Sequence, residues 1–362
     1  MFLHFVRAFH SPLYRLVPTS RLPQEVLFLL ALLAISDACK KNAPKPDSVP
    51  LGRYPSLELR FPDPGNGGTS VLAYAKREKI LERELAKVNA SIKWVPGPGA
   101  FSANADAMNT GAINSAGGAI SPIVGALAHG LRFRIYAISE PAVTRQSGII
   151  VPAQSPIKTV KDLIGKRVAV NLAAHGDYIL LKALANEGVP GAAVERVNIQ
   201  PPEAAAAFAT GKIDAWSTFG VFYNSAVRSG ARIIITEAEI GSDDVGVESA
   251  HESVLNRSPG AFLRYHEVVN ELVDVAHRDP DKFQNVFTDK GPTALSGDEL
   301  RLAVEGIRSA PKWHLPTEKD RARITAVAKL LYENRSIDRL ISADEIIFDV
   351  AAAERRRGIE TK

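Results

Sequence analysis

The residues able to do chemistry in this chain sit at short turns built from glycine, alanine and serine, and the chemistry they suit is capture rather than bond-making. Ala173-Ala174-His175 follows an apolar run expected as a strand over 167–172 and opens a helix beginning Gly176-Asp177-Tyr178. The first amides of a helix lack intrahelical acceptors and lie at its positive end, so this turn is a seat for an anionic group. Gly118-Ala119-Ile120-Ser121, just before Pro122 and a second helix, offers donors of the same kind. Ser121 also suits an N-cap, so it either closes its own helix or meets a ligand. Gly65-Asn66-Gly67 is a third such turn, either a donor loop or a plain solvent turn. His175 favours an anion when protonated and still donates once when neutral, or it stands as an exposed turn histidine.

Other residues frame these seats. Asp177 would place a carboxylate in the first helical turn, competing for the same positive end, so either it points away from the ligand or the ligand is not a simple anion. Trp216 and Phe219 end an expected strand where open α/β sheets bind ligands. There they wall the site, with burial in the core as the other reading for Trp216. Glu252, on a strand expected over 249–255, would receive an amine or serve as a hinge or surface group.

Catalytic signatures are missing. No His-Glu-x-x-His, Gly-x-Ser-x-Gly or phosphate-loop pattern occurs, and the eight histidines show no ligand spacing. The one cysteine, Cys39, rules out an internal disulfide. No catalytic residue, metal or cofactor is therefore expected. Of the 362 residues, 46% are hydrophobic and 23% charged, which excludes wholesale disorder. A net charge of +4, with Arg355-Arg356-Arg357 as its densest cluster, lacks the concentrated basic face of a nucleic-acid binder.

The amino terminus reads as an export signal over residues 1–38. The uncharged apolar run at 27–35 is too short to span a bilayer, is preceded by Arg7, Arg15 and Arg21, and is followed by Ser36-Asp37-Ala38. Cys39 stands directly after this segment, so plain cleavage and lipidation of the thiol are both open. Residues 39–56 form a polar, proline-containing linker.

The elements that must position these turns alternate between strand and helix. Strands are expected at 57–61, 91–95, 112–116, 133–139, 147–152, 167–172 and 232–236, and helices at 70–88, 103–109, 122–129, 221–228, 258–276, 297–309 and 318–333. Ser258-Pro259 suits the start of the long helix, whose stripe is Phe262, Tyr265, Val268, Val269, Leu272, Val273 and Ala276. This is an α/β fold of two lobes, each around a mostly parallel sheet. Residues 57–146 form the first part of lobe 1, 147–247 form lobe 2, and 248–362 return to lobe 1, with two crossing strands as the hinge.

Several motifs, in order, carry a family resemblance. They are Gly111-Ala-Ile-Asn114-Ser-Ala-Gly117-Gly118-Ala119-Ile120-Ser121-Pro122, Asp162-Leu-Ile-Gly-Lys-Arg-Val-Ala-Val170, Gly211-Lys-Ile-Asp214-Ala-Trp216 and Ile341-Ser-Ala-Asp344-Glu-Ile-Ile-Phe348-Asp349. Across nearly the whole mature chain the sequence resembles the solute-binding proteins of bacterial ABC importers, in the sulfonate, taurine and nitrate group. The resemblance implies a type II periplasmic-binding-protein fold, an exported monomer that is periplasmic or tethered through Cys39, a small organic anion as ligand and a membrane permease as partner. It departs from the family pattern at Asn114, where an aspartate is usual, at Ala173-Ala174-His175, where hydroxyl residues are usual, and at Phe219-Gly220-Val221. The same fold family includes an aryl sulfinate desulfinase with a nucleophilic cysteine; here the only thiol falls at the export boundary. An exported enzyme acting on a sulfur- or nitrogen-containing small molecule and a ligand-binding sensor module are the alternatives.

Overall fold

The computed structural model describes residues 55–64, 70–97, 101–139, 146–284 and 295–360. The leader expected over 1–38, Cys39, Gly65 and Asn66 lie outside the described residues.

Strand β1 (Leu57–Pro62) pairs in parallel with β2 (Ala90–Val95). Between them run α1 (Val71–Arg77) and α2 (Ile80–Ala86), in place of the single helix expected over 70–88. The break falls at Lys79, which is left-handed with φ 51°. At about 100° per residue, an unbroken helix would point Leu81 roughly 120° away from Ala75. With the break, Ala75, Leu81 and Leu85 all enter one core.

Next come α3 (Ala105–Asn109), β3 (Ser115–Ala119), α4 (Ile120–Ala128) and β4 (Phe133–Ser139). β3 starts later than the 112–116 expected, because the preceding residues are spent on a turn. Gly111 has φ 73°. Asn114 laces this turn to β1: its Oδ1 accepts from Arg60 N at 2.8 Å and its Nδ2 donates to Glu58 O at 2.9 Å. Gly117 and Gly118 thereby become strand residues, where their bare backbones admit close neighbours on opposite faces, Glu248 and Phe101.

The chain then enters the second sheet with β5 (Ser147–Val151), β6 (Arg167–Val170), α5 (His175–Asn186), β7 (Glu195–Asn198), α6 (Pro201–Ala209), β8 (Ala215–Phe219), α7 (Gly220–Arg228), β9 (Arg232–Thr236) and α8 (Glu237–Ile240). It returns with β10 (Gly246–His251), α9 (Glu252–Arg257), α10 (Pro259–Arg278), α11 (Gly297–Arg308), β11 (Trp313–His314), α12 (Glu318–Glu333), α13 (Ala343–Ile346) and α14 (Val350–Glu360).

Beside the two-stranded β1–β2 sheet, the described residues form two larger sheets, ordered β11-β4-β10-β3 and β7-β6-β8-β5-β9. The crossover strand β6 pairs in parallel with β7 and β8. Antiparallel pairing enters with the strands that follow each change of sheet. β5 opposes β8 and β9, β10 opposes β3 and β4, and β11 opposes β4, so the four-stranded sheet, expected as mostly parallel, has antiparallel pairs throughout and the five-stranded sheet is mixed. Both faces of the first sheet are covered. One carries α4 and α12, the other α1, α2 and α10. α10 buries all seven residues of its expected stripe, each worth about 1.5–3 kcal/mol for the larger side chains. Pro259 takes its first position as expected, but Ser258 Oγ makes no capping bond; it is buried without a partner among the described residues. Tyr178 and Leu181 of α5 belong to the core cluster that contains α12, so the lobes share a packed seam.

Candidate functional site

Helices α4 and α5 begin side by side. A Cβ added to Gly125 of α4 would stand 2.3 Å from Ala173 O, so the glycine is what lets the turn ahead of α5 press against α4. Ala173 itself is left-handed, φ 56°, a conformation that costs an alanine about 1–2 kcal/mol. This strained turn sits beside a cavity of about 660 Å³ between the lobes.

Residues of both sheets line that cavity. Phe101, Gly117, Gly118, Ala119, Ser139 and Trp313 come from one lobe, and Asn171, Ala174, His175, Phe219, Gly220 and Glu237 from the other. Asn171 Nδ2 donates to Ser102 Oγ across the rim at 3.2 Å. Helices α5 and α7 both start in the wall, at Ala174–His175 and Phe219–Gly220.

His175 is the centre of the polar wall. Its Nδ1 lies 2.7 Å from Asp244 Oδ2 and its Nε2 3.2 Å from Glu237 Oε2, while its ring meets Phe219 edge-on at 5.1 Å. Burial alone would lower its pKa, but the charge of Glu237 and hydrogen bonds to Asp244 and Glu237 outweigh that and raise it well above the ordinary value. The imidazole is therefore protonated at neutral pH. Burial would likewise raise Glu237, yet His175 and the hydroxyls of Ser147 and Ser242 hold it well below the usual carboxylate range. Ser147 Oγ donates to Glu237 Oε2, and Ser242 Oγ to its Oε1 at 2.8 Å.

Asp244 also reaches the other lobe. Its Oδ1 accepts from Ser121 N at 2.7 Å and its Oδ2 from Ser121 Oγ. Ile120 N donates to Val245 O at 3.2 Å, and Pro122 has no N–H. The start of α4, expected as an anion seat, thus already has its amides occupied by the protein's own acceptors. Its cap is Ala119, and Ser121 lies one turn position inside the helix, fully buried.

The other sequence-derived residues divide. Gly118, Ala119, Ala174, His175 and Phe219 line the cavity; Ile120, Ser121 and Ala173 are buried behind it. Trp216 is corrected from wall to core. It is 2% exposed and packs against Phe208 and Phe222, because β8 is covered on both faces and only its end, Phe219, emerges. Glu252 is also corrected: it pairs with Arg132 and Arg134 at 2.9 and 3.2 Å. β10 enters at the cavity with Gly246, and at about 3.3 Å per residue Glu252 lies some 20 Å further along. Asp177 points away, as an anion seat at α5 requires: Arg196 Nη1 at 3.0 Å, Ser336 Oγ at 2.6 Å and Ala173 N at 3.0 Å hold it. Sequence reading missed Glu237, Asp244 and Trp313. Asp243-Asp244, after a glycine and a serine, was the only local signal, and its partners lie 69 and 123 positions away.

Two α/β lobes facing across a cavity with helix starts in its wall make up the two-lobed type II periplasmic-binding-protein fold. The model of the NMT1/THI5-like family matches residues 123–278. An aliphatic sulfonates-binding protein of Escherichia coli (strain K12) is 28% identical over 209 residues, 58% of this chain and 60% of that protein. One of the same description from Bacillus subtilis (strain 168) is 28% identical over 225 residues, 61% of this chain and 66% of the other. The matched stretches thus span somewhat less than two thirds of these relatives. Among solved structures, the alkanesulfonate-binding protein SsuA from Xanthomonas axonopodis pv. citri, bound to MOPS, superposes with a TM-score of 0.70 at 21% identity, covering 82% of this chain and 99% of its own. The fold is not confined to binders: the desulfurization enzyme DSZB superposes with a TM-score of 0.54 at 16% identity, covering 83% and 99%.

Proposed function

We propose that this chain is an extracytoplasmic solute-binding protein that captures a small organic anion, sulfonate-like, and delivers it to an ABC-type importer. Lobe 1 comprises residues 57–146 and 248–362, lobe 2 residues 147–247, and the monomer works in the periplasm without catalysing a reaction. The observation that carries this reading is the cavity itself: about 660 Å³, between two lobes, with a protonated His175 and the starts of α5 and α7 in its wall. That volume suits a small organic molecule, and Phe101, Phe219 and Trp313 supply apolar surface for its carbon skeleton. The names of the sulfonate- and taurine-binding relatives support the same ligand class. Cys39 is the residue through which the exported chain would be tethered.

A thermal-shift panel of alkanesulfonates, sulfamates, nitrate, taurine and pyrimidine precursors tests the proposal. A ligand at a hundred times its Kd stabilises the fold by about 2.7 kcal/mol, so a specific binder gives a concentration-dependent rise in Tm. A panel with no shift, together with turnover of one of its members, would replace capture with catalysis.

A further inference from the structure

Behind Gly117, on the face of the first sheet that packs against α10, lies a carboxyl group that the anion seats do not use. Glu248 stands opposite Gly117 in the β10–β3 register, and its Oε1 is 3.3 Å from where a Gly117 Cβ would be. Gly117 and Gly246, two residues before Glu248 on the same strand face, both line the cavity. The Glu248 side chain is more than nine-tenths buried, yet its Oε2 has no hydrogen-bond partner among the described residues. The groups packed around it do not satisfy it. Tyr136 of β4 and Tyr265 of α10 also have buried hydroxyls without partners. A carboxyl kept dry, uncharged by its surroundings and bordered by a glycine where the cavity begins is a receptor for a donor brought by something else.

Resting on the solute-binding reading, we propose that Glu248 is a specificity-determining residue, which receives a nitrogen donor at one end of a ligand whose acidic end is held by the starts of α5 and α7. The ligand class is thus a small organic acid bearing an ammonium, amidinium or protonated ring nitrogen. In one wall the starts of α5 and α7 remain as anion donors, His175 being paired with Glu237 and Asp244 in the same lining, while α4 has its amides occupied by Asp244 and Val245 and offers no second anion seat. Burial pushes Glu248 up to about 8, so it is mostly protonated at pH 7 and gives up its proton when a cation docks.

The test is calorimetric titration of the mature chain at pH 7 with propane-1-sulfonate and 3-aminopropane-1-sulfonate, in two buffers of different ionisation enthalpy. The amine-bearing probe binds at least about tenfold tighter and releases a proton on binding; in Glu248→Gln both the preference and the proton release disappear. Gly117→Ala, which crowds the carboxyl without changing it, reduces the preference independently if Glu248→Gln fails to fold. Equal binding of the two probes, or a preference unchanged in both variants, overturns the assignment and leaves solute capture standing. Binding of neither probe overturns it too, and a wider panel without any shift removes solute capture itself.

Discussion

His175 shows how a single side chain acquires its charge from its setting. A helix N-terminus disfavours an imidazolium, and burial does too, but two carboxylates at 2.7 and 3.2 Å reverse the balance. Replacing it in His175→Gln leaves Glu237 and Asp244 facing each other without a cation. Breaking a buried ion pair in this way costs about 3–5 kcal/mol, measurable as a lowered urea midpoint at pH 7. The pH dependence has a definite sign. The folded pKa of His175 is raised, so its contribution is complete below the unfolded value of about 6.5 and fades as pH rises through the folded value. Glu237 is lowered, so its contribution holds above about 4.5 and is lost as pH falls through its folded value. The gap between wild type and variant should therefore be flat from about pH 5 to 7 and shrink on the alkaline side. A gap that widens there would refute the assigned protonation state.

At the scale of elements, the lobes are joined by more than their chain crossings. Arg196 of β7 reaches Asp177 of α5, donates to Ser336 Oγ at 2.7 Å and to Asn334 O at 2.5 Å, just past the end of α12. With Tyr178 and Leu181 packed into the α12 core, α5 is clamped to lobe 1 along one edge while its start faces the cavity. Arg196→Met strips Asp177 of its cation inside the protein, and about 3–5 kcal/mol of stability should go with it in chemical denaturation. The ligand site is built on other residues, so affinity in the folded fraction should stay within about threefold of wild type. Sequence patterning reached these elements well where the signal was local. The bounds of β9 and the start and stripe of α10 are as expected, because alternation, a proline at N1 and helical periodicity are written into neighbouring residues. It misplaced β3 and fused α1 with α2, because Asn114 and Lys79 answer to packing partners outside their own segment.

For the whole molecule, the clamped edge at α5–α12 and the bridges Asn171–Ser102 and Ser121–Asp244–His175 at the rim define where closure can act. Lobes pivoting on that seam would tighten around a ligand that reaches both walls. A panel member that raises Tm should therefore also lower the radius of gyration in small-angle scattering. Stabilisation with no compaction would mean that the cavity takes its ligand in the conformation described here, without a hinge motion.

The sequence alone determined the alternating elements, the two-lobed plan and the turn at 173–175, since these follow from local periodicity and from what a helix start offers. Tertiary structure decided which polar groups meet there. Asp244 joins Ser121 to His175, Glu237 and Ser147 close on the same imidazole, and Glu248 finds the gap left by Gly117. It also decided which aromatic faces the cavity, Phe219 at the end of a strand and not Trp216 within it. Those pairings span up to 123–131 positions of chain, and no periodicity of 2 or 3.6 extends that far; only the folded register of two sheets brings such residues within hydrogen-bond range.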